Sequence, residues 1–284
     1  MSAGSGSATF VHVVDLPSWV PVDVDVNQPS ISRIWDWFLD GSHNFAVDRE
    51  VAAKMLEVMP EGPRMAQASR AFLRRAVRAC VEAGITQFLD IGSGIPTVGN
   101  VHEIAQSINP ECRVVYVDVD TVAVSHTRQI LAGNERATVI RADLREPDKI
   151  LAAPEVRNML DFTQPIALML IAILHFVSDD DDPRGVIGRF AEEFVPGSHL
   201  VIAHGSRNTE GMPSDNLHTA RELYERTVAQ VSLRSRPEVI GLFEGWDLLY
   251  PGVVWIPQWR ADEPVTEADA VFPNAGYAGV ARKL

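Results

Sequence analysis

After Gly84 the chain alternates short apolar runs of strand length, at residues 86–91, 113–118, 137–141, 166–173 and 199–204, with stretches of helical periodicity. No other feature restricts the fold as much. Parallel strands need a crossover of a dozen or more residues, which the intervening helical stretches supply, and helices on both faces of a sheet bury its strands completely. The expected class is α/β, with a Rossmann-like parallel sheet. Downstream, an amphipathic helix from about 213 to about 231 and a short helix near 237–243 precede expected strands near 247–255 and 277–282, which fit a closing antiparallel hairpin.

Upstream of the sheet, Pro17, Pro21 and Pro29 interrupt helical periodicity, so residues 1–29 read as an extended arm. An aromatic segment with Trp35, Trp37 and Phe38 then runs into Asp40-Gly41, and helical patterns over about 48–59 and 64–83 are separated by Pro60 and Pro63. The expected organisation is an arm at 1–29, a helical cap or lid at 30–83 and a ligand-binding sheet domain at 84–284.

A length of 284 residues suits one large domain with an accessory segment, and 46% apolar with 22% charged residues is the balance of a globular protein. The longest apolar run, Ile166 to Leu174, is too short to cross a bilayer, and Met1 to Ala8 lack the basic-then-apolar order of a secretion signal. A cytoplasmic protein without a membrane partner is expected. The net charge of −13 repels phosphodiester backbones, so nucleic acid is not an expected partner. Arg64, Arg70, Arg74, Arg75 and Arg78 read as a solvated helix face, the alternative being a local basic patch. Cys80 and Cys112 lack metal-ligand spacing and read as buried thiols. The oligomeric state stays open, a homodimer included.

The chemistry concentrates where strands end. Phe88 to Thr97 is an apolar strand that closes on Asp90 and turns through Gly92, Ser93 and Gly94 toward a helix expected near Val98. Such a turn lets backbone approach a ligand and points helix N–H groups at it, although a purely structural turn has the same sequence. A dinucleotide loop wants a third glycine where the chain has Thr97. A carboxylate at the strand end instead suits a ligand bearing an ammonium, such as an amino-acid-bearing sulfonium cofactor. The second strand closes on Asp118, placed to accept from both hydroxyls of a ribose, followed by Val119 and by Asp120, which has a competing role as a helix cap. The third leads to Asp143-Leu144, where the acid can accept from an adenine amine.

These residues, with Asn44-Phe45-Ala46-Val47-Asp48-Arg49, Asn100-Val101-His102-Glu103, Val115-Tyr116-Val117-Asp118, Ala142-Asp143-Leu144-Arg145 and Leu174-His175-Phe176, resemble an actinobacterial S-adenosyl methyltransferase family once catalogued as a domain of unknown function. The likeness runs from about Ser30 to the C-terminus. It implies a class I Rossmann-like methyltransferase with seven strands in the order 3-2-1-4-5-7-6, the last antiparallel, and S-adenosylmethionine as cofactor, leaving S-adenosylhomocysteine as product. The chain departs from the family at Thr121, where a proline is common, and at Asp40-Gly41, where the family often has two glycines.

On that likeness Leu174 and His175 follow the fourth strand, where the methyl meets its acceptor, and His175 is the leading candidate for a base or orienting group. The alternative is a histidine packed beneath the cofactor; His204 is a weaker candidate. Asp179 to Asp182 before Pro183 reads as a helix start rather than a metal site, and no metal is expected. Asp36 to Arg49 reads as a lid in which Asn44 and Arg49 contact the cofactor, Arg49 through the methionyl carboxylate, a packed helical cap being the alternative. The expected activity is methylation of a small-molecule acceptor. A non-catalytic S-adenosyl-binding protein and a nicotinamide-dependent oxidoreductase are the competing readings.

Overall fold

The computed structural model describes residues 20–21, 24–96, 99–207, 222, 230–263 and 276–284. Strands β1 (Gln87–Ile91), β2 (Arg113–Asp118), β3 (Ala137–Arg141), β4 (Ala167–Ile171) and β5 (His199–His204) pair in parallel. β8 (Tyr277–Lys283) lies antiparallel between β5 and β6 (Trp246–Leu248), and the two-residue β7 (Val254–Trp255) also pairs with β8. The order β3-β2-β1-β4-β5-β8-β6 is the expected one, with β8 as the closing antiparallel strand. The single strand expected near 247–255 is instead β6 and β7 with a turn between them, because Leu249 to Gly252 close on themselves through a Gly252 N–H bond to the Leu249 carbonyl.

Successive strand residues divide between two cores. Leu89, Val115, Leu168 and Ile202 pack with Ile150, Val156, Ile187 and Phe190 of helices α6 (Pro147–Ala152), α7 (Pro154–Met159) and α8 (Pro183–Glu193). On the other face Phe88, Val114, Met169 and Val201 meet Phe72 and Val77 of α3 (Gly62–Glu82), Val101 of α4 (Val101–Ile108) and Trp259. Burial on both faces is why these strands read as continuous apolar runs. Cys80 and Cys112 are buried thiols in the second core.

The helix expected near Val98 begins at Val101, capped by Asn100 and Glu103; residues 97–98 lie outside the described residues, as do the N-terminal tip and most of the helix expected to reach 231. The solvated-face reading of the arginine cluster holds for Arg74 and Arg78, which are exposed, and fails at Arg75 and Arg70. Arg75 turns inward and donates to the Trp259 and Ile256 carbonyls at 2.8 and 2.9 Å, Arg78 pairs with Asp262, and Arg70 enters a cavity described below. Helix amphipathicity sends alternate turns of the arginine run to different surroundings.

Above the carboxyl ends of the strands sit α1 (Ile31–Phe38) and α2 (Ala46–Val58), which share a core that reaches Phe176. A second small cluster joins Phe45 to Ile95 and to Val122 of α5 (Thr121–Ile130). The joint between cap and sheet has an ionic part as well. Arg33 is buried and donates through Nε to Asp48 at 2.8 Å, while its Nη1 lies 3.4 Å from Asp120, whose other oxygen caps α5 by accepting the Ala123 N–H. Ser30 adds a bond to each acid: its N–H to Asp48 at 2.9 Å and its hydroxyl to Asp120 at 2.5 Å. Removing one member of a buried charge cluster strands the other, so Asp48→Ala is expected to cost about 3–5 kcal/mol in urea denaturation. An unchanged midpoint would show that the cluster does not hold the cap.

Candidate functional site

A cavity of about 460 Å³ opens at the carboxyl ends of β1, β2 and β4, where the direction of the crossovers reverses. In an open parallel sheet that is the general position for a ligand. Asp90, Gly92, Ser93 and Gly94 line it from β1, Asp118 and Val119 from β2, and Asp143 and Leu144 from the segment after β3. The strand-end residues singled out in the sequence therefore converge. α1 contributes Ile31, Ser32 and Trp35, and the segment after β4 contributes Ile173 and Phe176.

The loop after β1 owes its path to its glycines. At Gly92, with φ +72°, an added Cβ would lie 2.5 Å from the Ile173 side chain, so only glycine lets the segment after β4 close over the turn. Gly94 donates its N–H to Asp118 at 2.7 Å, which ties the loop to the end of β2. Asp118 also accepts the Asp120 N–H at 2.9 Å. On the opposite wall Ala172 holds φ +56°, a conformation rare for a residue with a Cβ and concentrated at functional sites.

The electrostatics are those of buried acids. Burial pushes the Asp90 carboxyl up to about 7, Arg70 opposing the shift and Asp118 adding to it. Burial likewise raises Asp118 to about 6, against the N–H donors of Asp120 and Gly94. Both acids face a space where a cationic or hydroxyl-bearing ligand restores what burial removed. The Ser93 hydroxyl is buried with no partner, a free polar atom in the same wall. Asp143 is half-exposed, and its bonds to Arg145 hold it below the usual carboxylate range. Val119 stays 59% exposed, an apolar surface beside the cavity.

Other predicted residues go elsewhere. Leu174 is fully buried in the core, and His175 turns toward β5, its Nδ1 3.4 Å from the Gly205 N–H and its ring 5.7 Å from that of His204. Neither is among the residues lining the cavity. Asn44 donates to Asp36 and to the Gly41 carbonyl, and Arg49 donates to the Asn44 carbonyl and side-chain oxygen, both at 3.0 Å. They stabilise the turn between α1 and α2 and do not line the cavity. Asp182 caps α8 by accepting the Gly185 N–H, as a helix start requires.

The sequence reading passed over Ser69, Arg70 and Trp35 as cavity residues. Arg70 lies close enough to Asp90 for each to influence the other's charge, and its Nη2 donates to the Ile95 carbonyl at 3.3 Å. The arginine run contains no signal that separates Arg70 from its neighbours. The apolar spacing of α3 does, because Phe72, Leu73, Ala76 and Val77 mark the inward face that Arg70 adjoins.

A family model described as S-adenosyl methyltransferase matches residues 17–284. The chain belongs to that family. It is a methyltransferase that uses S-adenosylmethionine, and the donor set of the cavity fits that cofactor: buried acids for an ammonium and a ribose, and a glycine turn between them. A candidate methyltransferase from Thermobifida fusca YX is 38% identical, with a TM-score of 0.88, covering 94% of this chain and 99% of its own. A DUF574 family protein from Streptomyces avermitilis MA-4680 is also 38% identical, with a TM-score of 0.86, covering 92% and 99%. Mitomycin 7-O-methyltransferase MmcR, at 18% identity, a TM-score of 0.50 and coverage of 89% and 68%, shows the methyltransferase fold alone. No curated protein matches the chain. Among the described residues no helix of this methyltransferase is long and apolar enough to cross a membrane.

The loop geometry separates two glycines that look alike in sequence. Gly92→Ala adds a clash with Ile173 to the cost of its backbone angle, whereas Gly94→Ala, with φ +67° and open space, meets only the latter. Overpacking of this kind costs about 1–3 kcal/mol and the left-handed angle about 1–2 kcal/mol. Urea denaturation should rank Gly92→Ala as the more destabilised, and equal midpoints would contradict the packing.

Proposed function

We propose that this cavity holds S-adenosylmethionine and that the methyl acceptor is a small molecule that enters between α1 and the segment after β4. The observation that carries the reading is the convergence of Asp90, Asp118 and Asp143 on one cavity with the Gly92–Gly94 turn between them. In this arrangement Asp90 receives the cofactor ammonium, Arg70 its carboxylate, Asp118 the ribose hydroxyls, and Asp143 with Leu144 and Val119 the adenine. Arg70 takes the role first given to Arg49, because Arg70 lines the cavity and Arg49 is engaged with Asn44. Asn44 and Arg49 act on the cofactor indirectly, by holding the cap turn.

The bound cofactor supplies a methyl group already activated on a sulfonium. The protein's part is to align acceptor and methyl and to exclude water, which for an in-line displacement supplies most of the catalysis. Trp35, Ile31, Ile173 and Phe176 form the apolar wall suited to that exclusion. α1 and α2 then act as the lid, while α3 serves the sheet core. The concave site and the net charge of −13 favour a small acceptor over nucleic acid, in a cytoplasmic setting.

Two measurements test this reading. With its carboxyl at about 7, Asp90 is largely protonated in the free protein at pH 6, yet an ammonium ligand selects the carboxylate. Binding therefore releases a proton, and affinity for S-adenosylhomocysteine should rise between pH 6 and pH 8. Calorimetry in buffers of different ionisation enthalpy reads both effects, and pH-independent affinity without proton release would remove Asp90 from the ammonium site. The acceptor class is tested with methyl-labelled cofactor and an extract of the producing organism. Label should enter the low-mass fraction and not precipitate with protein or nucleic acid.

A further inference from the structure

Arg234 lies just before helix α9 (Arg236–Gly241), and its side chain is 5% exposed. Nη1 donates to the Leu174 carbonyl at 3.0 Å and to His204 Nε2 at 2.8 Å. Nη2 donates to the Val177 carbonyl at 3.1 Å and to Asp179 at 2.6 Å. Its backbone N–H donates to the Gly205 carbonyl at 3.3 Å. One buried side chain thus brackets the segment that carries His175 and Phe176 and joins it to the end of β5. None of these bonds is needed for the sheet, whose strands are already paired.

The bonds fix protons as well as positions. A guanidinium has donors and no acceptor, so His204 Nε2 must accept from it, and the proton of the neutral ring sits on Nδ1. That nitrogen faces the Gly205 carbonyl at 2.8 Å, an acceptor only. The next contact inverts the pattern. The Gly205 N–H donates to His175 Nδ1, so the lone pair of His175 is on Nδ1 and its proton on Nε2. The two rings, 5.7 Å apart, hold opposite tautomers.

We propose that Arg234 is a positioning residue of the methyl-transfer site: it clamps the segment after β4 and, through His204 and Gly205, holds His175 as a neutral Nε2–H donor that does not act as a base. This rests on the cavity being the site of methyl transfer. In that state His175, which turns toward β5 and does not line the cavity, has no lone pair on Nε2 with which to remove a proton. The charges around it agree. His175 is faced by His204 and Arg234, and His204 by Arg234, Asp179 and Glu238. Burial first, then the two basic neighbours, keeps His175 down to about 3, and burial brings His204 to about 4.

The test is the imidazole signature in long-range proton–nitrogen spectra of the 15N-labelled protein with S-adenosylhomocysteine, with signals assigned through His175→Gln and His204→Gln. His175 should show a protonated Nε2 and an unprotonated, hydrogen-bonded Nδ1, and His204 the reverse, with neither ring becoming imidazolium between about pH 5 and about pH 8. A proton on His175 Nδ1, or a titration of His175 in that range, would overturn the inference. Arg234→Met should move the His204 Nε2 signal to that of a nitrogen accepting no hydrogen bond, and Arg234→Lys, which keeps a donor, should restore the wild-type pattern. Should Arg234→Met fail to fold, the wild-type and Arg234→Lys spectra decide. Calorimetry on the same samples separates the two readings. Spectra as expected without S-adenosylhomocysteine binding would sink the cofactor site alone, and binding with unchanged His204 spectra in Arg234→Met would sink the role of Arg234 alone.

Discussion

The Asp118 carboxylate, accepting the Gly94 N–H at 2.7 Å, joins the turn after β1 to the end of β2. A charged group at a buried strand end is costly unless donors surround it, and here the backbone of the neighbouring loop provides them. The same acid accepts from Asp120, whose own side chain starts α5 and meets Arg33 of the cap. Loop, strand end, helix start and cap therefore converge on two neighbouring acids. The first holds loop and strand end and the second helix start and cap, which ties the shape of the cavity to the same bonds that close the fold.

Cap and sheet meet through polar contacts as well as apolar ones. The cap has its own small core around Ile34, Phe38 and Met55, while Arg33 and Ser30, both held by Asp48 within the cap, reach Asp120 below. Buried ionic clusters of this kind specify an arrangement more than they add stability, because desolvation offsets most of the attraction. On the far side of the cavity Arg234 plays the corresponding part for the segment after β4. Two buried arginines, one in the cap and one beside β5, thus hold the two walls between which the acceptor is proposed to lie.

The strand-end acids were legible because sequence periodicity and the rule of parallel sheets place them together without any tertiary detail. Asp90, Asp118 and Asp143 each follow an apolar run, and three such runs in register deliver three acids to one edge. Arg70 was not legible from its chemistry, which Arg74, Arg75 and Arg78 share; what singles it out is its place beside the apolar face of α3, a signal of helix rotation and not of charge. Asn44 and Arg49 illustrate the opposite case. Their motif is conspicuous, but its polar groups satisfy one another and Asp36 within the turn, a local use that composition cannot distinguish from contact with a ligand. His175 shows a third limit: its place in the chain follows from β4, while its proton depends on a residue about sixty positions away.

The position of β8 bears on how the chain reaches this state during synthesis. β5 is paired on one side by β4, but its other edge is met only by β8, which emerges much later and inserts between β5 and β6. Until then β5 presents an apolar, unpaired edge, all six of its residues being buried in the finished protein. Long-range antiparallel insertion of this kind is slow relative to the local crossovers that precede it, and an open edge invites pairing with other chains. The growing polypeptide therefore passes through an interval in which the proposed cofactor edge of the sheet can already form while the opposite flank remains sticky, and chaperone capture or self-association would be directed at β5.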